Sequence, residues 1–349
     1  MRKTIIFVTV SLLMLAGCIN QNRLPRAAQD EMPCNVQQFD KTFDMVWGQG
    51  VDELHSLMVV KDGKVIYERY STGFSPEFKH ILFSATKTFT ATAVGFARQD
   101  GLLNLDDKVI SHLDESVLPA ERCGWLEKMT IHDLLRMSSG LKETLSGRTR
   151  NGEQFNWVEE ALKAGFIFEP GTRFRYNSVD SHILSVIVSN VTGMPAEEYM
   201  QAKLFDKLGI HDYEWTNCPT GESCGGFGLF MKTEDLAKMG LFMLERGLWN
   251  GERLLEEEWF DIAMSPQIYQ WEGRVSPEDA EERFTDDDWN QGYCYQMWRC
   301  ANGAVRMNGA WGQMCIICPE KNAVIVALSH TGDEKRLLDA IWKHIYCIL

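Results

Sequence analysis

The chain has 349 residues, 45% of them hydrophobic and 11% aromatic, which is enough to bury a large core in one catalytic unit or two closely packed lobes and excludes a disordered chain. Its 35 Lys and Arg stand against 49 Asp and Glu, a net charge of -14. No stretch gathers basic residues with interleaved aromatics, so a nucleic-acid partner is excluded as well.

The first element is a leader. "MRKTIIFVTVSLLMLAGC" joins a positive start (Arg2, Lys3) to an apolar run from Ile5 to Leu15, too short to span a bilayer and laid out as a secretory signal. Its ending, Leu15-Ala16-Gly17-Cys18, resembles the bacterial lipoprotein box, which implies cleavage before Cys18, lipid on its thiol and an exported protein held at the membrane by that anchor only. The alternative is a plain secretory signal with an incidental cysteine; the mature protein is exported in both cases. Residues 1–18 are thus read as signal and 19–45 as a polar tether. The folded domain is expected over 46–349.

Within that domain, "LHSLMVVKDGKVIYERY" gives two β-rich runs joined at Asp62-Gly63, a hairpin signal. Apolar residues at helical spacing then run from Ser84 to a stop at Asp100-Gly101. "TIHDLLRMSSGL" reads as a short helix. "FEPGTRFRYNSVDSHILSVIVSNVTG" reads as a turn followed by a long helix, and more helix is expected in "MPAEEYMQAKLFDKLGI" and "KTEDLAKMGLFMLERG". The acidic stretch 265–290, with Asp286, Asp287 and Asp288 in a row, reads as a solvated loop rather than a cation site. "GYCYQMWRC", "AVRMNGAWGQMCIIC" and "NAVIVALSH" read as strands, and "EKRLLDAIWKHIYCI" as a closing helix. An α+β (α/β) fold follows: an antiparallel sheet assembled from both termini, flanked by helices, with a helical lobe inserted between.

Ten cysteines are present. Cys218 and Cys224 flank a turn and could close a small loop in an oxidising compartment. "CIIC" at 315–318 lies in a strand-like run, where positions three apart face opposite ways, so these two are read as packing thiols; no metal is expected.

The chemistry-bearing stretch is "SATK", Ser84 to Lys87. A serine hydroxyl needs a base within reach, and residues i and i+3 share a helix face. Burial would keep Lys87 neutral, and a helix N-terminus offers free N–H groups to an oxyanion. Alone, the spacing is weak, because serine caps helices and lysine is common in them. Its company is more specific. With "YNS" at 176–178, "TIHDLLRMSSGL", "PGTRFRYNS", "LFDKLGI" and "GGFGLFMKTEDLAKMGLFML", the chain resembles the serine β-lactamase and penicillin-binding superfamily from about residue 50 to 335, in its class C branch with esterase-like and aminohexanoate-oligomer-hydrolase-like members.

That resemblance implies a β-lactamase/transpeptidase-like fold and an acyl-enzyme on Ser84. Lys87 would take its proton, and Tyr176 would shuttle protons, as a phenolate stabilised by nearby positive charge, unless it is a packing aromatic. Ser178 stands where class C enzymes carry asparagine. The usual K-T-G motif falls on Met307-Asn308-Gly309, which lacks the lysine; Arg306 or a loop residue would have to replace that cation. Asn308 and Gly309 would line the substrate, and Ala310 would complete an oxyanion hole with the Ser84 N–H. Trp311 lines the acyl pocket or fills the core. His330 is read as a strand-end histidine, and Asp180 and His182, which could support the site, as locally bonded helix residues. The expected substrate is a small molecule or peptide, cell-wall material included, cleaved at an amide or ester without cofactor. A D-alanyl peptidase, a β-lactamase and a ligand-binding lipoprotein using the same cleft are the alternatives.

Overall fold

The computed structural model describes residues 22–43, 53–142, 145, 155–271 and 287–349, so Cys18, the leader and Asp286 lie outside the described residues. Strand β1 (Glu53–Lys61) and strand β2 (Lys64–Tyr70) form the expected hairpin. Its turn residues Asp62 and Gly63 both have positive φ, 51° and 75°, the backbone a two-residue hairpin turn demands. From the other end of the chain come β8 (Trp298–Arg299), β9 (Val305–Gly309), β10 (Gln313–Cys318) and β11 (Ala323–His330). All pair antiparallel in the order β2-β1-β11-β10-β9-β8, so the sheet is built from both termini.

Two cores sandwich this sheet, and alternation along its strands assigns side chains to each. On β11, Val324, Val326 and Leu328 join the large core under the inserted helices, while Ala323, Ile325 and Ala327 face a second core. Cys315 enters the first core and Cys318 the second, as the strand period requires; both are free thiols. Cys218 and Cys224 are also free and buried, with the Cys218 thiol donating to Glu222 at 2.8 Å instead of bridging.

The large core centres on helix α1 (Thr86–Gln99), buried from Thr86 through Ala97. Its threonines tolerate this because their hydroxyls find acceptors: Thr90 bonds the Gly225 carbonyl at 2.8 Å and Thr88 the Gln296 carbonyl at 3.0 Å. Around it lie α2 (Ile131–Leu135), capped reciprocally by Thr130 and Asp133, α3 (Ser178–Thr192) and α4 (Thr233–Leu244). Helix α5 (Glu334–Ile341) closes the second core through Leu337, Leu338 and Ile341.

Three expectations are corrected. The span taken as a free tether packs on the domain: Leu24, Ala27, Phe39 and Thr42 are buried, and Glu234 of α4 binds Arg23, Arg26 and the Leu24 N–H. Of "GYCYQMWRC" only Trp298–Arg299 is strand, because Gln296 turns at φ 59° and its amide is spent on the Leu134 and Leu135 carbonyls. Short strands β3 (His80–Ile81), β4 (Glu214–Trp215) and β5 (Leu229–Met231) form a second small sheet that the residue pattern does not announce.

Candidate active site

Strand β3 runs straight into a 3-10 turn, Phe83–Ala85, that presents Ser84 at the head of α1. Phe83 sits at φ 46°, a costly backbone for an aromatic residue, and this local strain lifts the serine out of the turn. Strand β9 presses against the same turn. A Cβ on Gly309 would lie 2.0 Å from the Leu82 carbonyl oxygen, so glycine is what lets strand and turn touch. Gly309 makes the outermost β9–β10 pair, with Gln313, and Ala310 begins the turn beyond the ladder rather than lying inside the sheet.

Lys87 is only 1% exposed. Its Nζ is 2.5 Å from the Gly226 carbonyl oxygen, 2.9 Å from Ser178 Oγ and 3.3 Å from Ser84 Oγ. Burial pulls the amine down to about 7, with the Asp180 carboxyl opposing the shift. The three neighbours suit the neutral form: two N–H bonds go to Gly226 and Ser178, and the lone pair is left for the Ser84 hydroxyl.

The segment "RYNS" places its residues in turn. Asn177 caps α3, accepting the Val179 N–H at 3.0 Å, and Ser178 is the first helical residue, aimed at Lys87. Tyr176 just upstream stands close enough to Ser84 for the serine hydroxyl to bear on its ionisation, and lays its ring 5.2 Å from Lys87 Nζ. It stacks on Trp298, with centroids 5.7 Å apart. The expected phenolate is corrected here: burial and then the Glu334 carboxylate push the Tyr176 hydroxyl well above its ordinary value, against the Ser84 hydroxyl. Lys87 supplies no compensating charge because it is itself discharged by burial, so Tyr176 is a neutral phenol that can pass a proton but does not begin as a base.

Asn308 on β9 accepts Arg306 Nε at 3.2 Å and donates to Glu334 at 2.9 Å. Arg306 is fully buried, its guanidinium 4.3 Å from the Trp289 centroid and bonded to the Asp288 carbonyl, so it is not the free cation that would stand in for a missing lysine. Trp311, at φ 66°, is 44% exposed and stacked on His330 at 4.6 Å, which removes it from the core and puts it at the mouth of the turn. Asp287 and Asp288 are engaged by neighbouring chain, Asp288 accepting the Ala301 N–H and the Trp342 indole. No cluster that could hold a metal ion occurs among the described residues.

Two site features escape sequence reasoning. The Gly226 carbonyl is one, although a Cβ there would come within 2.8 Å of the Ser178 carbonyl oxygen, and a Gly-Gly pair beside a helix is the only hint. Asp180 is the other. It is fully buried, takes the Ser139 hydroxyl at 2.6 Å on one oxygen and has no partner on the second, and burial lifts it to about 8. His182 is buried too, driven down to about 4, against Trp157. Because burial leaves Asp180 largely protonated below about 8, it puts little negative charge beside the amine where Lys87 titrates, so Asp180→Asn is expected to leave the acidic limb of kcat/KM close to its wild-type position, measurable as a pH-rate profile of wild type against variant.

A family model described as Beta-lactamase matches residues 54–346. A 6-aminohexanoate-dimer hydrolase of Paenarthrobacter ureafaciens is 27% identical over 296 residues, which cover 80% of this chain and 73% of that protein. Two solved structures share the fold. A penicillin binding protein from Bacillus halodurans has a TM-score of 0.66 at 18% identity, over 83% of this chain and 95% of that one. EstCE1, a hydrolase with promiscuous acyltransferase activity, has a TM-score of 0.70 at 15% identity, over 89% and 98%.

Proposed function

This chain belongs to the beta-lactamase family of serine hydrolases, and from that premise we propose that it is an exported hydrolase that cleaves an amide or ester through an acyl-enzyme on Ser84. The carrying observation is the Lys87 amine, buried, discharged near neutrality and 3.3 Å from Ser84 Oγ. Lys87 takes the Ser84 proton as Oγ attacks the substrate carbonyl. The backbone N–H groups of Ser84 and Ala310 receive the developing oxyanion. The proton then passes by way of the Tyr176 phenol to the leaving nitrogen or oxygen, whose bond to the acyl carbon breaks. Water releases the acyl group by the same groups in reverse, returning the proton to Ser84. Asn308, Gly309 and Trp311 line the substrate, and Ser178 holds Lys87.

The relative named for hydrolysing a 6-aminohexanoate dimer favours a linear amide over a β-lactam, as do the serine at 178 and the methionine at 307. Localisation is part of the proposal: residues 1–18 carry the export signal and Cys18 the lipid, so the domain faces away from the cytoplasm. The test is intact-mass analysis after incubation with a fluorophosphonate. Wild type gains one phosphonyl group on the peptide containing Ser84 and Ser84→Ala gains none. Labelling elsewhere, or of neither protein, ends the proposal.

A further inference from the structure

Strand β9, whose Gly309 touches the Leu82 carbonyl beside the Ser84 turn, is joined through Asn308 to the first turn of α5. Glu334 stands there, partly exposed, held by the Asn308 amide at 2.9 Å. It forms no ion pair among the described residues, and its carboxylate acts on the Tyr176 hydroxyl across the cleft. Tyr176 is where the leaving group must stand to collect its proton. The fixed charge felt at that point is therefore negative.

The two cations nearby do not cancel it. Lys87 is largely uncharged above about pH 7. Arg306 reaches Asn308 from the far side, wholly buried between Trp289 and Trp298, with one N–H bonded to the Asp288 carbonyl and another to the Cys300 sulfur. Its charge is presented to aromatic faces, while Glu334 keeps part of its surface in solvent. Tyr176, on whose hydroxyl that carboxylate bears, stacks on Trp298, and such an aromatic pair favours an organic cation over an anion.

Building on the acyl-enzyme reading, we infer that this rim is a subsite for a cationic group on the leaving side of the substrate, an alkylammonium or guanidinium, and that Glu334 is the residue selecting it. A free carboxylate at the same place is disfavoured.

The experiment uses three phenyl esters of one acyl group, with aminomethyl, hydroxymethyl or carboxyl substituents on the leaving phenol. Each kcat/KM is referred to the neutral ester in the same protein, so a general loss of activity cancels. Wild type prefers the cation. Glu334→Gln, which keeps an acceptor for Asn308 and removes only the charge, lowers the cation-to-anion ratio about tenfold, and Glu334→Lys inverts it. In wild type alone, raising salt lowers the ratio, which tests the idea even if a variant folds poorly. A ratio indifferent to Glu334→Gln and to salt, with the neutral ester still hydrolysed, overturns the subsite alone. Failure of wild type to hydrolyse any of the three overturns the hydrolase reading and the subsite with it.

Discussion

Lys87→Met lowers kcat by about a thousandfold or more and removes the rise of kcat/KM with pH through about 7. Methionine matches the length of the lysine stem but carries no lone pair, so the Ser84 proton loses its acceptor. Ser84→Ala costs about as much, and the double variant little more, because nucleophile and base act as one unit. The same change should stabilise the protein. Burial holds the folded amine near 7 against 10.5 in an open chain, so the unfolded state binds an extra proton between those values. Wild-type stability therefore rises with pH across that window, and the lysine penalty is fully present below it. In Lys87→Met the penalty disappears. Its melting temperature at pH 7 exceeds that of wild type, and the slope of stability between pH 7 and 10 flattens. Unchanged pH dependence of both activity and stability would remove Lys87 from the mechanism.

Stability and activity pull in opposite directions at Lys87 because the site concentrates groups that a core rejects. A buried amine, an aromatic at φ 46° and a carboxyl with an unpartnered oxygen all surround one serine. Natural sequences break local rules at sites of function and compensate elsewhere. The compensation here is α1, whose threonine hydroxyls tie it to Gly225 and Gln296 on either side.

Much of this was legible in the residues. Ser84 and Lys87 are three apart in one helical run, the Asp62-Gly63 hairpin has its own turn chemistry, and the strand before the Pro319 turn announces the segment holding Asn308 and Gly309. What stayed hidden depends on distant partners. The N-terminal segment has no periodicity, yet Glu234, some 210 positions away, draws it onto α4. Gln296 breaks a strand-like run because α2 offers it two carbonyls. The Tyr176 phenolate failed for a similar reason: the resemblance supplies a lysine beside the tyrosine, but the burial of Tyr176 itself and the carboxylate of Glu334 bearing on it belong to the fold.

Gly309→Ala should cut kcat/KM by roughly a hundredfold to a thousandfold while costing only a few degrees of melting temperature. Its backbone does not demand glycine, since its φ lies outside the left-handed region; the demand comes from contact. A Cβ placed 2.0 Å from the Leu82 carbonyl oxygen forces β9 and the Phe83–Ala85 turn apart by roughly 1.5 Å before ordinary van der Waals distance is restored. Leu82 is anchored on the other side, its N–H bonded to the Leu229 carbonyl at 2.8 Å, so β9 is the partner that yields. That movement carries Ala310 with β9 and opens the space between the two N–H groups proposed above for the oxyanion. The Ser84–Lys87–Ser178 contacts lie on the opposite side of the turn and survive, so the pH at which activity appears stays near 7 while the rate falls. Gly124→Ala, at a helix start with no atom within 4 Å of the added carbon, is the control and leaves rate and melting temperature as they were. Acylation followed by stopped flow separates the cases. A Gly309→Ala protein that acylates at the wild-type rate would show that β9 takes no part in holding the transition state.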